Sequence, residues 1–71
     1  MKLATYLKAN RITHTEFTKR CSNIGFDISM GAVAKWCNGQ RIPRYKEMQV
    51  IYKVTDGNVN PNDFYDLPIA N

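Results

Sequence analysis

The chain has 71 residues, 44% of them hydrophobic and 23% charged, and its net charge is +4. This length allows one domain with a small core, and the hydrophobic fraction excludes wholesale disorder. No apolar run exceeds three residues, so neither a membrane span nor the apolar stretch of a signal peptide is expected. We therefore expect a cytoplasmic protein with no membrane partner.

The charges are divided unevenly along the chain. Residues 1–46 carry nine basic side chains against two acidic ones, a net charge of +7, whereas residues 47–71 carry one against four, a net charge of −3. A basic body followed by an acidic end predicts that a polyanion binds the first two-thirds of the chain. Lysines scattered over the solvated faces of an ordinary soluble domain are the alternative.

The first part of the chain predicts two helices. Residues 2–9 carry apolar side chains on one face at helical spacing, and Asn10 can end this helix. Thr13 precedes Glu16 at the spacing of a capping box, in which each side chain accepts from a backbone N–H of the other residue. A second helix is therefore expected over residues 14–21.

The central part predicts two more helices. Ser29 is suited to cap a helix that runs to Cys37, and Gly39 occupies the position where a left-handed residue ends a helix. Pro43 favours a new start, and apolar residues at helical spacing then predict a helix over residues 45–55.

The end of the chain predicts one helical turn over residues 60–65, because Asn60 and Pro61 have the types favoured at the N-cap and first helical positions. No segment predicts a strand. The expected fold class is all-α: a compact four-helix domain over residues 1–66, with a short C-terminal helical turn and a tail of residues 67–71.

Two cysteines and one histidine are too few for a structural zinc site. Cys21 and Cys37 occupy core positions, so we expect free thiols that pack as small hydrophobic residues, with a disulfide or a reactive thiol as alternatives. No nucleophile–base arrangement and no phosphate-binding glycine loop stands out. We expect no enzyme, no catalytic residue, no metal, no cofactor and no small-molecule ligand.

Several short motifs occur in an order that is typical of one family. They are Thr13, Glu16-Phe17, Ser29, Gly31-Ala32-Val33, Lys35-Trp36, Asn38-Gly39 and Arg41-x-Pro43, followed by Ile51-Tyr52, Thr55, Gly57, Val59 and Pro61-Asn62-Asp63-Phe64-Tyr65. In this order the chain resembles the Cro/repressor-type (XRE-like) helix-turn-helix proteins of phages and bacteria, and in particular their small prophage-type members. The resemblance implies that the second and third helices form a DNA-binding helix-turn-helix motif.

The chain departs from that family between these two helices. The family joins them by three or four residues, whereas here the stretch SNIGFD, residues 22–27, adds about five. Its composition predicts a loop with Ile24 or Phe26 partly buried. We expect the loop to leave both helices intact and to place Ser22 and Asn23 near bound nucleic acid.

The small residues of the third helix suit the docking mode of the family, in which this helix enters the major groove. The predicted base-contacting residues are Met30, Gly31, Ala34 and Lys35. Lys35 can donate to guanine, while Met30 and Ala34 can contact thymine methyl groups. Because Lys35 is the one strong reader, DNA shape is expected to contribute to specificity. The alternatives are a solvated Lys35 and helix packing for Gly31, and Ala32 is expected to pack against another helix.

Phosphate contacts are expected at both ends of the motif. The predicted residues are Thr13, His14, Ser29, Asn38, Gln40, Arg41 and Arg44, with Lys19 and Arg20 as further candidates. Thr13 and His14 start the second helix, whose N-terminus attracts a phosphate. The resemblance implies that the residues after the third helix follow the phosphates, a task for which the planar arginine fork is suited.

The spacing of Trp36 with Val33 and Cys37 predicts a core position for the indole, which leaves base stacking on single strands or RNA unsupported. The expected function is therefore that of a sequence-specific regulator of transcription that binds double-stranded DNA, a phage-type repressor acting as a homodimer on a palindromic operator. Apolar residues between 59 and 69 are expected to contribute to the dimer. The alternatives are an antitoxin-like protein that binds a partner protein and an architectural DNA binder of low specificity.

Overall fold

The computed structural model describes residues 1–65, which form four helices and a short turn. The helices are α1 (Leu3–Ala9), α2 (His14–Asn23), α3 (Met30–Asn38) and α4 (Tyr45–Val54), and a 3₁₀ turn follows at Pro61–Phe64. Residues 1–65 contain no strand, so the predicted all-α four-helix fold is confirmed. The predicted tail, residues 67–71, lies outside the described residues.

One hydrophobic core joins the four helices. Its buried side chains are Leu3, Tyr6, Leu7, Ile12, Phe17, Cys21, Val33, Trp36, Ile51 and Val59. Within it α3 packs against α1 and α2, and α4 packs against α2. Burial of one large apolar side chain contributes about 1.5–3 kcal/mol, so this set supplies most of the driving force for folding.

Trp36 lies in this core, with 4% of its surface exposed, as its spacing with Val33 predicts. Its indole N–H is buried and finds no acceptor among the residues that the structure describes. The indole is therefore a packing element, and it offers no exposed face on which a base could stack.

Thr55 is a fully buried polar residue at the C-cap of α4. Its hydroxyl group donates to the Ile51 carbonyl at 2.8 Å and accepts from the Val59 N–H at 3.1 Å. These bonds offset the cost of removing the hydroxyl from water and tie the segment after α4 to the core.

Both cysteines are free thiols, Cys21 buried and Cys37 half-buried. Burial raises the pKa of Cys21 to about 11 and also raises the pKa of Cys37. Both thiols are therefore protonated near neutral pH, which opposes the alternative of a reactive thiol.

All four helices end in a Schellman turn that contains one left-handed residue. In α3 the Gln40 N–H donates to the Lys35 carbonyl at 2.9 Å and the Gly39 N–H to the Trp36 carbonyl at 3.4 Å, with Gly39 at φ +74°. The predicted end of this helix is confirmed. At the equivalent position of α1 and α4, by contrast, stand the non-glycine residues Arg11 (φ +55°) and Asp56 (φ +56°).

The predicted end of α2 is wrong by two residues, because the helix continues to Asn23. Ser22 and Asn23 keep helical conformations, and the left-handed position is reached at Gly25 (φ +86°), the first residue that takes it without a steric cost. Phe26 is half-buried beyond this turn, whereas Ile24 remains 45% exposed.

The helix starts follow cap chemistry, with differences from the expected pattern. Thr13 Oγ1 accepts from the Glu16 N–H at 3.0 Å, which is one half of the predicted capping box. The Glu16 carboxylate lies 3.9 Å from Arg20 Nε. At α4 the N-cap residue is Arg44, which has no acceptor in its side chain, and Glu47 Oε1 accepts from the Arg44 N–H at 2.7 Å.

None of the helices within residues 1–65 combines the length and the apolar content that crossing a membrane requires.

Asp63 connects the 3₁₀ turn to the start of the chain. Its Oδ2 accepts from the Met1 amino group at 3.0 Å and from the Asn60 N–H at 2.8 Å. Desolvation by burial raises the pKa of this carboxyl, but the backbone hydrogen bond from Asn60 and the positive charges of the amino terminus and Lys2 lower it, and the net pKa is below the ordinary 3.8.

Replacing Arg11 by glycine is expected to stabilise the fold. A left-handed conformation costs a non-glycine residue roughly 1–2 kcal/mol, so Arg11→Gly should raise the free energy of unfolding by about 1 kcal/mol. Urea denaturation followed by circular dichroism measures the change. Arg11→Ala, which keeps the Cβ atom, is the control, and an equal gain in both variants would show that the lost charge is responsible.

The lowered pKa of Asp63 predicts a contribution to stability that depends on pH. Because the folded-state pKa lies below the unfolded value, the contribution is present above the unfolded pKa and is lost as the pH falls through the folded pKa. Wild type should therefore be more stable than Asp63→Asn at neutral pH, and the difference should close as the pH falls through the folded-state pKa of Asp63. Urea titrations at each pH test this, and a difference that stays constant from neutral to acidic pH would contradict it.

Candidate nucleic-acid interface

The exposed side of α3 carries the four residues predicted to contact bases. Met30 is 51% exposed, Gly31 and Lys35 are exposed and Ala34 is partly exposed. These residues lie together because the opposite side of the helix is buried through Val33 and Trp36.

The exposed side of α3 carries no side chain at Gly31, near the start of the helix. A Cβ atom added at Gly31 would meet one neighbouring atom, Ser29 Oγ at 3.9 Å, so the glycine opens onto free space. Ala32, in contrast, packs against the core and is half-buried, which is the packing role that its position predicts. The backbone of α3 is therefore accessible at Gly31, where the helix begins.

The start of α3 is fixed by a hydroxyl cap. Ser29 Oγ accepts from the Ala32 N–H at 3.1 Å. The N–H groups of the first turn have no acceptor within the helix and carry part of the positive end of its dipole, so they can donate to an anion. The hydroxyl hydrogen of Ser29 is not used by the cap and remains a possible donor to a phosphate.

A contact between α2 and α3 holds Met30. The Thr15 hydroxyl donates to Met30 Sδ at 2.8 Å. Thr15 was not among the residues expected at the interface, because this contact depends on how α2 crosses α3 and no local pattern in the sequence signals it. This hydrogen bond restricts the conformation of the Met30 side chain, which stands first on the exposed side of α3.

The seven residues predicted to contact phosphate are all exposed. Thr13 and His14 stand at the start of α2, and Ser29 stands at the start of α3. Asn38 is the last residue of α3, while Gln40, Arg41 and Arg44 follow in the segment that leads to α4. Ser29 and Asn38 therefore mark the two ends of α3, and Gln40, Arg41 and Arg44 follow its C-terminal end in the chain.

The cations on α3 and in the segment after it are not neutralised by ion pairs within the part of the chain that the structure describes. Within residues 1–65, Lys35, Arg41 and Arg44 form no ion pair, whereas Arg20 pairs with Glu16 at 3.9 Å. The Arg20 pair is half-exposed and worth little, although it makes Arg20 a weaker candidate. An anion next to α3 would therefore meet positive charges without protein partners.

Ser22 and Asn23, which were predicted to lie in a loop near nucleic acid, belong instead to the end of α2. Ser22 and Asn23 form the last turn of α2, roughly 10 Å along the helix axis from Thr15. The Ser22 hydroxyl donates to Asp27 Oδ1 at 3.3 Å, which closes the turn on itself. Their predicted place beside nucleic acid gains no support.

The described residues, 1–65, contain no group of three or more histidine, cysteine, aspartate or glutamate side chains that could hold a metal ion. Comparisons of the chain with protein-family models, curated proteins and solved structures find no match. The resemblance to Cro/repressor-type proteins stays a prediction, and a functional proposal depends on the residues of this chain.

Two substitutions of Ser29 test whether its side chain caps the start of α3. Ser29→Ala removes the bond to the Ala32 N–H and should lower the free energy of unfolding by about 1 kcal/mol. Ser29→Asp keeps an N-cap acceptor, so its stability should stay within about 0.5 kcal/mol of wild type. Thermal and urea unfolding measure both, and equal losses in the two variants would contradict a capping role.

Proposed function

We propose that the protein is a sequence-specific regulator of transcription that binds double-stranded DNA by inserting α3 into the major groove. The observation that carries the proposal is the exposed side of α3, which has no side chain at Gly31 and is bordered by cations that form no ion pair within residues 1–65. A helix about 10–12 Å in diameter fits a groove about 12 Å wide, and the absence of a side chain at Gly31 permits close approach.

Two side chains would read bases at the start and middle of α3. Lys35 can donate to guanine O6 or N7, and Met30, oriented by the Thr15 hydroxyl, can contact a thymine methyl group. Gly31 would let the helix backbone approach the bases closely, and Ala34 would supply one further apolar contact. Lys35 is the single charged reader, so direct readout covers few positions and DNA shape supplies further specificity.

The residues at both ends of α3 would anchor the backbone. Arg41 and Arg44 can bind phosphate oxygens through their planar forks, with Asn38 and Gln40 beside them. On the other side, His14 and the Thr13 hydroxyl lie at the start of α2, where the N-terminal helix dipole favours a phosphate.

The mode of regulation would be repression by occupancy in the cytoplasm. One helix covers few base pairs, so two copies would bind half-sites one helical turn apart, about 34–36 Å, on a pseudo-palindromic operator.

The small number of side chains that can hydrogen-bond to bases favours a second candidate function. This is an architectural protein that binds DNA with little sequence preference. Among the predicted base-contacting residues, only Lys35 offers a strong hydrogen-bond donor. Phosphate contacts alone would then supply most of the affinity, and binding would depend strongly on salt.

Selection from a random duplex library, followed by titration at physiological salt, tests the proposal. Enrichment of a two-fold symmetric site that binds about 10³-fold more tightly than scrambled duplex supports a sequence-specific regulator. Equal, salt-sensitive binding to all duplexes contradicts it and favours the architectural function.

Two substitutions should separate reading from anchoring. Lys35→Ala should cost roughly 1–3 kcal/mol on the selected site and relax its base preference. Arg41→Ala should weaken binding to every sequence and reduce the slope of log K against log salt by about one. Titration of both variants on selected and scrambled duplex measures this, and identical behaviour would contradict the assigned roles.

A further inference from the structure

α4 presents an exposed aromatic face that has no role in the proposed DNA contact. Tyr45 is 75% exposed and Tyr52 is 51% exposed, and the exposed Gln49 stands between them at a spacing that puts all three on one side of the helix. Together with Met48 and Pro61 they line a concavity of about 200 Å³. We call these five residues the tyrosine face. Contiguous exposed apolar groups of this kind mark interaction surfaces.

Both tyrosine rings are held in place by neighbours. Gln49 Nε2 donates to Tyr45 Oη at 3.1 Å. The Tyr52 ring lies over Gly57, where a Cβ atom would stand 3.4 Å from its Cζ and Oη atoms. Rings that are already oriented lose little freedom when a partner covers them, and such aromatic anchors contribute strongly to interfaces.

We infer that the tyrosine face binds a second copy of this chain. The face carries no charged residue, although the chain has a net charge of +4 and residues 1–46 carry +7. Two copies repel each other across their basic surfaces, so they approach at least cost through an uncharged face. A polyanion, in contrast, is attracted to the basic side that borders α3.

The face is also complementary to itself. Tyr45 and Tyr52 lie at nearly equal distances along α4 from Gln49, so a two-fold axis beside Gln49 places Tyr45 of one copy against Tyr52 of the other. The two Gln49 amides then pair, each donating to and accepting from the other. The antiparallel helices bring Asp56 of one copy toward the positive N-terminal end of the other α4.

The size of the face predicts a weak dimer. A standard interface buries about 800 Å² per partner, roughly a sixth of the 5128 Å² surface of this chain, and five residues cover less. Interfaces below the standard size occur in weak and transient complexes, so we expect association at high protein concentration. Two copies would then pair mainly on adjacent half-sites, where their effective concentration is high. The role of the dimer on DNA rests on the proposed function. The interface itself does not, because association of the two copies is measured without DNA.

Sedimentation equilibrium of the whole chain without DNA tests the surface. Wild type should associate, and Tyr52→Arg should weaken the dimer at least about tenfold, because the new charge is buried at the contact. Ile24→Arg makes the same charge change at another exposed apolar residue, one outside the tyrosine face, and should leave dimerisation unchanged. Circular dichroism checks folding. No association of wild type, or an equal loss in both variants, overturns the inference.

A pair of Gln49 variants tests the position of the axis. Gln49→Glu and Gln49→Lys should each dimerise poorly, because like charges meet at the axis, and an equimolar mixture should recover association as a heterodimer. A mixture as weak as either variant alone overturns the inference. A wild-type dimer that shows no DNA selectivity would contradict the proposed function and leave the interface standing.

Discussion

Burial of Val33 and Trp36 fixes the rotation of α3, and every role proposed for this helix depends on it. Successive residues of an α-helix are about 100° apart, so placing these two side chains in the core turns Gly31 and Lys35 outward. The core neighbours come from α1 and α2, which means that three helices together decide which side of α3 faces solvent. A change in that packing that rotated α3 would turn Gly31 and Lys35 together away from their present exposed positions.

The Schellman turns at the ends of the four helices keep the connections between helices short in a chain with a small hydrophobic core. Each Schellman turn satisfies carbonyl groups at the end of its helix within a few residues, and two of the four use glycine at the left-handed position. Arg11 and Asp56 hold the same conformation with a steric cost. A domain of this size has a small margin of stability, so these positions matter more than they would in a larger protein.

The distribution of charge separates the two surfaces proposed for binding. Within residues 1–65, Lys35, Arg41 and Arg44 form no ion pair, and the five residues of the tyrosine face on α4 carry no charge. A polyanion is therefore attracted to the cations on α3 and in the segment after it, whereas a second copy of a cationic chain meets the least repulsion at the tyrosine face. The two proposed surfaces would therefore not compete for the same partner.

The sequence by itself determined the four helices, the Ser29 cap, the Gly39 end and the core position of Trp36. These features follow from helical spacing and from cap chemistry, which act between residues close together in the chain. The exposed side of α3 was predictable for the same reason, because it is the side opposite the apolar one.

Only the tertiary structure decided the contacts between distant residues. Thr15 reaches Met30 because α2 crosses α3, and Asp63 meets the amino group of Met1 across 62 positions of the chain. The exposure of Tyr52, which shares helical spacing with buried residues of α4, was settled by what α4 packs against. Local patterns carry no information on such contacts, since they depend on how whole helices are arranged.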